Sequence, residues 1–217
     1  MSLSVPRARG SGAEEEGGAR GASPAAPHHH ATMPAPHRRP LAQRPIDLFY
    51  LHYFLFHILT FLCIDGQNFY PARWTPAALQ RIMHDYLRQS GDPFVQGLQA
   101  GDDRYTWFAT SMYASLLVQN PVFVAGVWCL WRDDARIYPV MAAYSLLAAV
   151  TTAQCLASVL FGAERHVLSP SNTSMLLKAY VPFVLIPSVM FVDTLPRSIA
   201  LIGRATESES TSARKRQ

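Results

Sequence analysis

Residues 46–65 read IDLFYLHYFLFHILTFLCID, and this stretch decides the class of the whole chain. The nineteen residues from Ile46 to Ile64 are mostly apolar. At about 1.5 Å per residue they cross a bilayer core of roughly 30 Å. Three polar features separate this segment from a plain lipid anchor: His52 and His57 lie inside it, and Asp65 closes it. An ionisable group at membrane depth is costly unless it faces protein or water, so such groups mark candidate sites. Asp65, close to the end, has the alternative of snorkelling to the headgroups, and His57 that of bonding a neighbouring helix.

Working outward, three further apolar spans follow, near residues 107–131, 137–161 and 175–192. Four spans predict an all-α, polytopic membrane bundle. The mean hydropathy of +0.06 averages this domain with a polar N-terminal tail, residues 1–44, rich in Gly, Ala, Pro and Arg and expected to be disordered. Glu14, Glu15 and Glu16 argue against a transit peptide. His28, His29 and His30 form a short tract best read as low complexity rather than a metal site. Cys63, Cys129 and Cys155 are scattered through apolar stretches, which fits packing and neither a disulfide framework nor a CxxC metal site. No metal, cofactor or catalytic constellation is expected. The net charge of +4 gathers toward the ends and suits anionic lipid better than nucleic acid, since no basic face is interleaved with aromatics.

The segment 66–103 is not a span. Thr75-Pro76 reads as an N-cap followed by a first-turn proline, and Leu79, Ile82, Met83, Tyr86 and Leu87 then recur with helical period. This predicts an amphipathic helix lying across the bundle mouth as a lid, with Tyr70 and Trp74 at the membrane interface. Asp92-Pro93 repeats the start signal. In the second span Ser115 and Gln119 share a face, and Asn120-Pro121 predicts a kink. The third carries Tyr144, Thr151 and Ser158 at intervals of seven, with Gln154 beside them, as an inward polar stripe. The fourth, with Pro182 and Pro187, is expected to bend. Asn172-Thr173-Ser174 fits a glycosylation sequon but lies too near a span to carry weight.

Arginine placement sets the orientation. Arg38, Arg39, Arg44, Arg132, Arg136, Arg197, Arg204, Arg214, Lys215 and Arg216 lie on one side, against Arg73, Arg81, Arg88, Arg104 and Arg165 on the other. The excess places both termini in the cytosol. The basic tail, residues 204–217, ends in ARKRQ, which carries basic residues at the positions of an endoplasmic reticulum retrieval signal.

Several strings in this order resemble the EXPERA family, and its sigma-2 receptor branch in particular: YFLFHILTFLCID, FYP, YLRQSGDPF, WFATSMYASLLVQNP and AYVPFVLIP, together covering residues 49–187. The resemblance implies a four-helix membrane domain over 45–203, with an occluded, sterol-sized cavity. It implies that Asp65 salt-bridges a cationic ligand amine and that Asp92 orients it, with His57, Gln119 and Tyr180 in the pocket. Two positions depart from the family: Ser115 replaces a glutamate and Phe183 a tyrosine. Thr151 of the polar stripe completes the candidate ligand-binding set. The expected function is an endoplasmic reticulum protein that binds a sterol or related lipid, and cationic amphiphiles, and regulates lipid handling through a sterol-transport membrane protein, with homodimerisation implied. The alternative is an enzyme, a sterol double-bond isomerase like the emopamil-binding protein. Such an enzyme pairs a proton donor with an acceptor, and its relatives use membrane glutamates. Here glutamate occurs only at 14, 15, 16, 164, 207 and 209, outside every span.

Overall fold

The computed structural model describes residues 38–216. The tail before Arg38, with its histidine tract, lies outside the described residues. Within them are seven α-helices: α1 (Pro45–Cys63), α2 (Ala77–Ser90), α3 (Pro93–Ala100), α4 (Thr106–Ala114), α5 (Asn120–Trp131), α6 (Tyr138–Phe161) and α7 (Pro170–Arg214). α1, the α4–α5 rod, α6 and α7 are each long and apolar enough to cross a membrane. α2 and α3 are the expected lid, and α2 packs against α7.

Each boundary has a local cause, and some differ from expectation. α1 starts at Pro45, whose fixed φ suits a first turn. α2 starts one residue later than its capping signal: Pro76 occupies the N-cap, and Thr75 is buried with its carbonyl accepting from Gln80 Nε2. Its apolar face is narrower than the period implied, with Met83 buried but Ile82 exposed. α2 ends at Gly91, in the left-handed region at φ 57°, where the Asn172 side-chain amide presses on the space a Cβ would fill. Only glycine meets both demands. The kink expected at Asn120-Pro121 takes the form of a π turn over Ser115–Gln119. Pro121 has no N–H to continue the α ladder. Asn120 donates both its backbone N–H and its Nδ2, the latter at 2.9 Å, to the Ser115 carbonyl. α7 runs through Pro182, Pro187 and Pro196 and continues to Arg214, so most of the basic tail is helical. Residues 38–44, grouped by composition with the disordered tail, are docked instead: Arg39 pairs with Asp133 and Arg44 with Asp47.

The core divides in two. The larger cluster gathers Tyr50, Phe54, Phe123, Tyr138, Met141, Tyr144 and Met190. The second, under α3, joins Phe94, Tyr105, Phe108, Cys155, Val159 and Leu176. Gly126 on α5 lets the Phe54 ring of α1 approach its backbone. Outside these clusters Phe49, Leu59, Val124, Val150 and Val189 point outward, as a lipid-facing surface requires.

Candidate functional site

Between the two core clusters lies a cavity of about 440 Å³, within the roughly 300–1,000 Å³ typical of small-molecule sites. Its walls come from α1, the lid, α4, the π turn, α5, α6 and α7. All eight sequence-predicted residues line it: His57, Asp65, Asp92, Ser115, Gln119, Thr151, Tyr180 and Phe183. Most of the wall is apolar or aromatic, including Tyr53, Phe56, Phe61, Met83, Phe108 and Phe123. Among the described residues, no arginine or lysine faces it.

The two carboxylates are built differently. Asp92 is fully buried and held on all sides. As the N-cap of α3, its Oδ1 accepts the backbone N–H groups of Phe94 at 2.9 Å and Val95 at 3.2 Å. Its Oδ2 accepts the hydroxyls of Tyr86 and Tyr180, both at 2.6 Å. Burial, followed by the adjacent Asp92 charge, pushes the Tyr86 hydroxyl well above the ordinary tyrosine range, so it stays a proton donor. Four donors on one carboxylate leave it no freedom to turn.

Asp65 sits in a short 3-10 turn just after α1. Side-chain amides hold that turn in place: Gln67 Nε2 donates to the carbonyls of Cys63 and Leu79, Asn68 Nδ2 to that of Asp65, and Gln99 Nε2 to Asn68 Oδ1. These bonds tie α1 to α2 and α3 while leaving the Asp65 carboxylate without a hydrogen-bond donor among the described residues. It faces the cavity and feels the Asp92 charge. No hydrogen bond joins the two acids among the described residues, because tyrosines and backbone amides already fill Asp92. The arrangement is one locked carboxylate and one open carboxylate at the same end of an apolar chamber, with no arginine or lysine beside them among the described residues. Such a chamber attracts a positive charge more strongly than water would, since Coulomb energy scales inversely with dielectric.

The remaining predicted residues divide between cavity and backbone. Thr151 lines the cavity while its hydroxyl donates to carbonyls one turn back in α6. Gln119 is buried at the end of the π turn and lines the cavity. His57 packs its ring against Tyr53, Phe123 and Phe183, at 4.4, 4.9 and 5.0 Å between centroids, and its Nε2 has no partner. His52 lies on the exposed face of α1, with Nδ1 2.8 Å from the Leu48 carbonyl, and Gln154 points outward rather than along the polar stripe.

Sequence reasoning missed Tyr86, read only as part of the apolar face of α2, because its bond to Asp92 crosses the left-handed turn at Gly91 into the next helix. It also missed a polar network beyond the larger core cluster. There Asp47, in the first turn of α1, accepts Arg44 at 3.0 Å, Arg197 at 2.9 Å and the Tyr138 hydroxyl at 3.0 Å. Arg197 also binds Asp193, which accepts Tyr50. This network joins α1, α6 and α7 and carries no cavity residue.

Residues 78–194 match the model of the EBP family, described as EXPERA, the expanded EBP superfamily. Efficient mitochondria targeting-associated protein 19 of Saccharomyces cerevisiae is 24% identical over 152 residues, 64% of this chain and 91% of the yeast protein. Sigma intracellular receptor 2 of Xenopus tropicalis is 24% identical over 158 residues, 70% of this chain and 89% of the frog protein.

Proposed function

The chain belongs to the EXPERA family, and on that premise we propose that it is a lipid-binding membrane protein whose cavity holds a sterol or related lipid and also accepts cationic amphiphiles. The observation that carries this reading is the chamber of about 440 Å³ with Asp65 and Asp92 at one end. An elongated apolar ligand fills the aromatic walls. A protonated amine, when present, meets the open Asp65 carboxylate, while Asp92 holds a fixed field behind it. A neutral sterol uses the same walls and needs only a hydrogen bond at the polar end. The similarity to a sigma intracellular receptor supports the same reading. In our reading the protein resides in the endoplasmic reticulum with both termini cytosolic, forms a homodimer, and acts on sterol handling through a sterol-transport membrane protein.

The isomerase alternative calls for an acid and a base on either side of a reacting alkene. The cavity offers Asp65 and His57 but no glutamate, so binding is the better-supported function. The test is mass spectrometry of lipids that copurify with the protein in mild detergent, joined to complementation of cells lacking sterol isomerase. Enrichment of a sterol or related lipid without rescue is the expected result. Rescue that Asp65→Asn abolishes would make the protein an enzyme, and copurification of bulk phospholipid alone would remove the sterol assignment.

A further inference from the structure

The loop between α5 and α6 reads Arg132-Asp133-Asp134-Ala135-Arg136, two acids flanked by two bases. The fold pairs only Asp134 with Arg136 inside the loop. Asp133 takes a left-handed backbone, φ 56°, the one non-glycine residue to do so among those described. That conformation, which aspartate tolerates better than most residues, turns its carboxylate back to Arg39 at 3.0 Å and Arg44 at 3.4 Å. Asp134 caps the next turn and binds Arg136 at 2.7 Å. Both acids are therefore committed elsewhere, and Arg132 has no carboxylate partner among the described residues.

Its guanidinium carbon lies over the Trp128 ring, 3.6 Å from the centroid. Stacking satisfies the face of the cation and leaves the N–H edge free for a planar or tetrahedral oxyanion. Trp128 is itself 58% exposed and forms one end of an apolar groove between α1 and α5, walled by Ile58, Pro121, Val124, Ala125 and Val127. From Pro121 to Trp128 the groove runs roughly 10 Å along the helix, at about 1.5 Å per residue. It opens on the lipid-facing side and shares no residue with the cavity lining.

We propose that this rim binds one anionic glycerophospholipid, its phosphate on the Arg132 guanidinium and one acyl chain along the groove. The charge left over by the loop selects the headgroup, and the groove, continuous with the membrane-facing surface, selects a chain. A zwitterionic lipid meets the same groove with less net attraction. The expected preference is about fivefold, from the roughly 1 kcal/mol that one basic residue contributes at an anionic surface.

The test uses the full chain in phosphatidylcholine vesicles containing a minor fraction of either phosphatidylserine or phosphatidylcholine with brominated acyl chains, which quench tryptophan on contact. The Trp128 signal is the difference between the wild type and Trp128→Phe. Quenching by the brominated phosphatidylserine should exceed that by the phosphatidylcholine as about fivefold local enrichment predicts. Arg132→Gln should remove the excess, and Arg132→Lys should keep most of it. Arg132 is exposed, so neither change disturbs packing, which unchanged circular dichroism would verify. Equal quenching by the two lipids, or an excess that survives Arg132→Gln, would overturn the proposal. So would a Trp128 shielded from both lipids, the result expected if a second copy of the chain covered the groove.

Discussion

The unequal anchoring of the two cavity acids makes a prediction that a shared structural role would not. The Asp65 carboxylate accepts no hydrogen bond among the described residues, so Asp65→Asn, nearly isosteric, should change the stability of the unliganded protein by no more than about 1 kcal/mol. The same change removes the charge that meets a ligand amine. Truncating one partner of a buried ion pair costs about 2–5 kcal/mol, or roughly 30-fold to several thousand-fold in affinity. Asp92→Ala is the contrast. It removes a cap, about 1 kcal/mol, and leaves the two tyrosine hydroxyls at 2.6 Å without their acceptor. Charge-assisted bonds contribute about 1.5–3 kcal/mol each, so the total loss of stability is about 4–7 kcal/mol. Thermal unfolding of the ligand-free protein in detergent reads the first quantity, and competition between a labelled sterol and a cationic amphiphile reads the second. Asp65→Asn should keep its melting temperature and its sterol affinity while losing the amine; Asp92→Ala should melt early. The reasoning is refuted if Asp65→Asn is as unstable as Asp92→Ala. It is refuted equally if amine affinity survives in Asp65→Asn, because the acid would then only snorkel at the membrane edge.

Three further outcomes follow from other parts of the structure. Asp47→Ala should destabilise the protein by about 3–5 kcal/mol, since it strips the shared acceptor from two arginines and a tyrosine; chemical unfolding in mixed micelles would show it, and a loss no greater than that of an exposed substitution would refute the network. The Arg39 guanidinium, through its hydrogen bonds, holds the Asp133 carboxyl below its ordinary 3.8. A depressed carboxylate contributes stability above its unfolded value and loses it as pH falls through the folded one, so docking of residues 38–44 should persist at neutral pH and fail only below about pH 4. Limited proteolysis before α1 across an acid series would read this, and release that begins near neutrality would contradict it. Protease treatment of sealed microsomes should remove the tail beyond Arg204 while sparing the 163–169 turn; a protected tail would reverse the proposed orientation.

The amino-acid sequence by itself determined what one or two helical turns can encode. Nineteen mostly apolar residues must bury their backbone as a helix, and the short-range period of Met83 and Tyr86 lays α2 on a surface. Asp92-Pro93 caps α3 because the acceptor and the amides it serves are two and three positions apart. The eight candidate site residues were legible as polar groups inside spans and from ordered motifs, without any sign of how they would meet. The tertiary structure alone decided that meeting. Tyr180 reaches Asp92 across 88 positions, Tyr138 reaches Asp47 across 91, and Arg197 across 150. No local pattern carries such pairings, since they depend on which helix faces which and at what depth. The π turn shows the boundary between the two. Pro121 announces a lost hydrogen bond, but whether the helix kinks or takes in an extra residue was settled by the Asn120 amide reaching Ser115 and by the core each face must fill. The difference between the acids has the same origin. Both stand beside turn signals in the chain, and only packing brought two tyrosines to Asp92 and left Asp65 open to the cavity.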